Sequence, residues 1–184
     1  MRRVSEKVGN WLETKLVNQE HGIILDDADL SSFDFIQDFL EAKDHLFKTT
    51  VIYYDAFAEE SAAEFLNTLQ EELSSKLGSH KLKSDLTLPE IIANAGLKMI
   101  IIDQSHLHPW ETTNELFRFL TEQHVALILV GSADNMNCSK ILGHPGITQW
   151  DRLVINEINL DINIVNQIKQ PNHLSVSSEI VTYC

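Results

Sequence analysis

The chain has 184 residues, 43% of them hydrophobic, and a formal net charge of −13. That length suits one domain with a full core, and no apolar run reaches the ~18 residues of a membrane span. The negative balance disfavours a direct grip on nucleic-acid phosphates. The charge is unevenly spread: residues 26–72 hold 13 Asp/Glu and 2 Lys, a net of −11, and the remainder nets −2. The ordinary reading of such a stretch is a solvated face. "MRRVSEKVGNWLETK" has no apolar core of a secretory signal, and Cys138 and Cys184 lack metal-ligand spacing, as thiols of a reducing cytosol do. A cytoplasmic location is therefore expected.

Helical and strand-like segments alternate along the chain, without repeats or long linkers. Val4, Val8, Leu12 and Leu16 recur at four-residue spacing, predicting an amphipathic first helix. "HGIIL" (His21–Leu25) reads as a short buried strand, and residues 31–43 as a helix with Ile36, Phe39 and Leu40 on one face. "TTVIYYDAF" (Thr49–Phe57) is β-branched and aromatic, a strand. Ser61 and Glu64 have capping-box spacing ahead of a helix carrying Phe65, Leu69 and Leu73, with Gly78 as its stop. Thr87 and Glu90 repeat that spacing, and Gly96 closes the short helix they open. "KMIIID" is the next strand. Thr112 and Glu115 are expected to start a helix bearing Leu116, Phe117 and Leu120. "VALILVGS" (Val125–Ser132) is a further apolar strand, and "RLVINEI" (Arg152–Ile158) alternates as a last or edge strand. "GHPG" (Gly143–Gly146) is a turn signal.

Apolar strands separated by helices imply a parallel sheet covered on both faces. In such sheets the functional crevice lies at the carboxyl ends of the strands. Here that edge would present Asp26–Ser32, Asp55, Asp103–His108 and Ser132–Asn135.

The stretch "GLKMIIIDQSHLHPWETTNELFRFLTEQHVALILVGSADN" (Gly96–Asn135) resembles the second half of an AAA-type P-loop ATPase, most similar to the transposon-associated and phage-type group (TniB, TnsC, MuB). Over roughly residues 4–158 the order of elements matches as well. The resemblance implies a five-stranded, mostly parallel sheet in order 5-1-4-3-2. It places Asp103 on the Walker B aspartate, Gln104 on the water-activating glutamate, His106 on a position where the group often has histidine, and Ser132 on the sensor at the end of the fourth strand. Arg152 aligns loosely with the arginine finger.

The first half departs from that pattern. A phosphate loop needs glycines, so that backbone N–H groups can wrap the phosphates, and a lysine to neutralise them. After its first strand this chain reads "LDDADLSSFDF", with no glycine from Ile23 to Leu77 and no lysine before Lys43. Ser31 and Ser32 stand roughly where Lys-Ser/Thr should, and Asp26, Asp27 and Asp29 where phosphates would lie. Like charges ~4 Å apart repel by about 4 kcal/mol at an effective dielectric of ~20. Glutamine at position 104 can position a water but cannot take its proton. About 25 residues follow the last confident strand, too few for the family's helical lid.

Other chemistries fit less well. Asp103, His106 and His108 could begin a zinc or iron site, but no further ligand is fixed, with His80 and His144 unplaced. "DDADLSS" lacks the glycine and terminal glutamate of a calcium loop and is simpler as a turn with Asp29 or Ser31 as N-cap. No G-x-S-x-G elbow exists. Trp110 and Trp150 border loops and are read as packing residues.

The expectation is a single three-layer α/β/α domain over residues 1–184, of P-loop NTPase type and without a full lid. Ser31, Ser32, Asp103, Gln104 and Ser132 would be a vestigial nucleotide site, and Asp26, Asp27 and Asp29 a partner-binding edge. Neither metal nor cofactor is expected. The partner would be another protein with a basic surface, an active AAA-type ATPase among the candidates, with self-association open. Rival readings are an ATPase with an unorthodox loop still holding Mg-nucleotide, a metal-dependent hydrolase, and a transposition accessory.

Overall fold

The computed structural model describes residues 2–26, 32–42, 50–77, 86–132, 150–156 and 161–165. In chain order the elements are α1 (Arg2–Asn18), β1 (Gly22–Asp26), α2 (Ser32–Ala42), β2 (Val51–Asp55), α3 (Ala62–Leu77), α4 (Leu88–Ala95), β3 (Met99–Asp103), a 3₁₀ turn (Ser105–Leu107), α5 (Trp110–Glu122), β4 (Ala126–Ser132), β5 (Asp151–Asn156) and β6 (Asp161–Val165). The strands form one sheet in the order β2-β3-β4-β1-β5-β6. Read from β5, this is the expected 5-1-4-3-2 order, and every pairing within it is parallel.

The layers follow from strand alternation, since successive side chains point to opposite faces. Ile24, Met99, Ile101, Ile128 and Val130 face α1 and α2, meeting Val8, Trp11, Leu12, Ile36 and Phe39. Ile23, Leu25, Ile100, Ile102, Leu127 and Leu129 face α3, α4 and α5, meeting Phe65, Leu69, Leu73, Ile91, Leu116 and Leu120. Because both faces are covered, the central strands read as continuous apolar runs. Each fully buried Leu, Ile or Phe contributes about 1.5–3 kcal/mol relative to exposure.

Both expected capping boxes form. The Glu64 amide donates to Ser61 Oγ at 3.3 Å, while Glu64 Oε2 accepts the Ser61 amide at 2.9 Å. Glu90 Oε2 likewise accepts the Thr87 amide at 2.8 Å. These hydrogen bonds hold both glutamates below the usual carboxylate range; for Glu64 the Ser61 hydroxyl leads, and for Glu90 the Thr87 amide. Gly96 closes α4 at φ +69°, a left-handed turn that lets the Leu97 amide reach Ile92 O at 3.2 Å. The stop expected at Gly78 and the turn at 143–146 lie outside the described residues, as do His80, Cys138, His144 and Cys184.

Two expectations are corrected. α5 starts at Trp110 behind Pro109, two residues before Thr112. Thr112 is buried, and its hydroxyl donates to Glu60 O at 2.8 Å, so it is spent on a tertiary contact rather than a cap. β5 is not the sheet edge, because β6 pairs with it antiparallel, Asn156 opposite Asp161. "DINIV" alternates polar and apolar residues over only its first four positions, a weak signal beside the longer apolar runs.

Candidate functional site

The carboxyl edge of the sheet carries Asp26, Asp55, Asp103 and Ser132 at the ends of β1, β2, β3 and β4. Register pairs Asp26 with Ser132 and Asp55 with Asp103. Ser32 is the first residue of α2. Asp27, Asp29 and Ser31 lie outside the described residues, so the structure brings together only part of the expected constellation.

Asp103 is committed to protein partners. Its Oδ1 accepts the Gln104 amide at 2.7 Å, and its Oδ2 accepts the Tyr53 hydroxyl. Burial, and then that hydrogen bond, push the Tyr53 hydroxyl well above the usual phenol range, so it stays a donor at physiological pH.

Gln104 takes the left-handed conformation at φ +48°, ψ +34°. This is uncommon for a residue with a Cβ. It is held by the Leu107 amide on Gln104 O at 2.8 Å and by its own Nε2 donating to Asp55 Oδ1 at 3.0 Å. The side chain is thus drawn along the edge toward β2, away from β1 and β4, where Asp26 and Ser132 stand. One residue on, the buried Ser105 hydroxyl donates to Val130 O at 2.9 Å and pins the turn to β4.

The histidines of "SHLHP" diverge. His108 is buried, and its Nε2 meets Glu60 Oε2 at 2.9 Å. Glu60 Oε1 also accepts the Tyr54 hydroxyl at 2.5 Å. Burial and then Glu60 raise Tyr54 above the usual phenol range. His106 Nδ1 is buried without a hydrogen-bond partner among the described residues. Among those residues no group of three or more His, Cys, Asp or Glu is placed to hold a metal ion. The Tyr54–Glu60–His108 network was not anticipated from sequence. It is a polar clamp joining β2, the approach to α3 and the entry of α5.

Arg152 is buried in β5 as the register partner of Ile23, three residues before the pair Asp26–Ile155 at the carboxyl edge. Trp150 is core, stacked on His21 with ring centroids 5.0 Å apart. Trp110 is half-buried and, with Glu111, Arg118 and Phe119, lines an open groove on α5 that includes none of the carboxyl-edge residues.

No protein-family model and no curated protein matches the chain. Among solved structures it is similar to a KaiC-like protein from the hyperthermophilic archaeon Pyrococcus horikoshii, with 13% identity and a TM-score of 0.43 over 81% of this chain and 80% of that one. No described helix is long and apolar enough to cross a membrane.

Proposed function

We propose that this protein is a non-catalytic member of the AAA-like group that works by binding another protein, an active ATPase of related shape being the partner that kinship suggests. The observation that carries the reading is the pairing of Gln104 with Asp55. A residue that activates water must face the bound nucleotide; this one is tied to the neighbouring strand and has no basic atom to take a proton. Two features support it. Asp103 already accepts hydrogen bonds at both oxygens, and the segment after β1 has neither the glycines nor the lysine of a phosphate loop. Asp26, Asp27 and Asp29 would then face a basic surface of the partner, a contact that speeds association and is screened by salt.

Calorimetric titration with Mg-ATP tests the reading. No saturable heat is expected below ~100 µM ligand; clear saturation in that range would establish the rival, an ATP-binding protein with an unorthodox loop.

A further inference from the structure

At the carboxyl end of β2 two large apolar rings stand in solvent. Phe33, in the first turn of α2, is 41% exposed, and Phe57, two residues past β2, is 65% exposed. Phe33 meets the Tyr53 ring edge-on at 5.6 Å, and Phe57 meets Tyr54 in the same way at 6.1 Å. Tyr53 and Tyr54 are successive strand residues, so they leave opposite faces of the sheet. The phenylalanines therefore flank β2, one on each side, and β2 is an outer strand of the sheet. Both tyrosines are anchored by their hydroxyls, to Asp103 and Glu60, which gives the phenylalanines fixed seats.

Single exposed apolar residues are ordinary. The charge around these two is not. α2 and residues 50–61 contain Asp34, Asp38, Glu41, Asp55, Glu59 and Glu60 and no Lys or Arg. Asp34 adjoins Phe33 in the chain, and Asp55 and Glu59 bracket Phe57; all three carboxylates are exposed. Glu59 is held at φ +63°, and the Glu60 amide returns to Phe57 O at 3.3 Å, which fixes the turn that carries Phe57 outward. A neutral apolar partner covering these rings would strip water from the carboxylates and leave their charge uncompensated, since even Asp55 meets only the neutral Gln104 amide, and that is strongly unfavourable. A second copy of the chain would bring the same sign of charge. A guanidinium satisfies both features: its flat face stacks on an aromatic ring, and its N–H fork pairs with a carboxylate.

We propose that the carboxyl end of β2 docks an arginine-bearing segment of another protein, with Phe33 and Phe57 supplying the apolar contact and Asp34, Asp55 and Glu59 the charge. The proposal rests on the reading of the protein as a binding module and specifies the chemistry of its partner.

The test is fluorescence anisotropy of the full chain with two labelled octapeptides of equal charge, one alternating arginine with serine and one alternating lysine with serine. The arginine peptide is expected to bind about fivefold to tenfold tighter, from cation–π stacking that lysine makes less well. Phe33→Ala with Phe57→Ala should abolish that preference, weakening the arginine peptide more than the lysine peptide. Phe57→Ala alone, at the more exposed ring, should halve the preference or more and serves if the double variant misfolds. Asp55→Asn with Glu59→Gln should weaken both peptides, whereas Glu71→Gln with Glu122→Gln, exposed on α3 and α5, should weaken neither. Equal affinity for the two peptides, or a preference that survives both Phe variants, overturns the proposal. So does equal weakening by the distant pair, which would mean attraction to net charge alone. Saturable Mg-ATP binding would instead overturn the non-catalytic reading and leave the arginine preference standing.

Discussion

Replacing Glu60 by alanine should be among the most damaging single changes near the carboxyl edge. Its carboxylate lies between the Tyr54 hydroxyl at 2.5 Å and His108 Nε2 at 2.9 Å, with side-chain exposures of 9% for Glu60 and 1% for His108. Alanine leaves the imidazole N–H buried without an acceptor, a penalty of about 1–3 kcal/mol, and forfeits a hydrogen bond to a charged group. The Tyr54 hydroxyl, only half-buried, recovers part of its loss from water. The expected total is about 2–4 kcal/mol, which for a chain of this size lowers Tm by roughly 5–15 °C. Glutamine keeps the shape and one carbonyl acceptor for His108, so Glu60→Gln should cost only about 1 kcal/mol. Urea unfolding of both variants, with Tyr54→Phe to complete a double-mutant cycle, gives the separate contributions. If Glu60→Ala and Glu60→Gln cost the same, and both less than ~1 kcal/mol, the network is not a clamp and the reasoning from burial fails.

Gly22→Ala would place its Cβ 2.5 Å from the Trp11 ring, a clash expected to cost about 1–3 kcal/mol and to be relieved in part by Trp11→Leu in a non-additive urea cycle. His21 is pulled down to about 4 by burial, and its Nδ1 accepts the Leu127 amide at 3.0 Å, so the folded state holds it neutral while the unfolded chain protonates near 6.5. Its contribution should be complete above pH 6.5, decline as pH falls toward 4 and change no further below. Roughly 1–3 kcal/mol is at stake, allowing for the ring's partial contact with water, and unfolding free energies at pH 7.5 and 5.0 should diverge more for the wild type than for His21→Asn. Gln104→Glu should yield no ATP turnover in a phosphate-release assay. It should also lose about 1–2 kcal/mol in a thermal melt, because the new carboxylate would face Asp55 Oδ1, which Gln104 Nε2 now approaches to 3.0 Å.

The fold was legible because local signals agreed. Strands such as Met99–Asp103 and Ala126–Ser132 are short apolar runs closed by a polar residue, and helices α3 and α4 announce their starts through Ser61/Glu64 and Thr87/Glu90. The carboxyl edge was legible only as positions. Which atoms meet there depends on partners far apart in sequence. Gln104 finds Asp55 across 49 residues, and His108 finds Glu60 across 48. Spacing within "DQSHLHP" carries no trace of either. The same holds for Lys15, on the first helix. It is buried, bonded to Glu20 Oε2 at 2.8 Å and to Asp151, and lies over the Trp11 ring at 5.6 Å. An aliphatic stem of that length can reach over a sheet edge to a charge that no local pattern foretells.

The position of β1 has a consequence for synthesis on the ribosome. This strand leaves the ribosome well before either of its neighbours, since β4 and β5 follow it by about 100 residues or more. At about 5–20 residues per second, Gly22–Asp26 waits roughly 5–20 s for Ala126–Ser132. Over that interval β2 and β3 can pair and collect α3 and α4, while β1 and the apolar face of α1 have no sheet to rest on. The nascent chain thus carries an uncovered "GIIL" until β4 and β5 have been made. Over that interval the segment is a natural client for a holding chaperone.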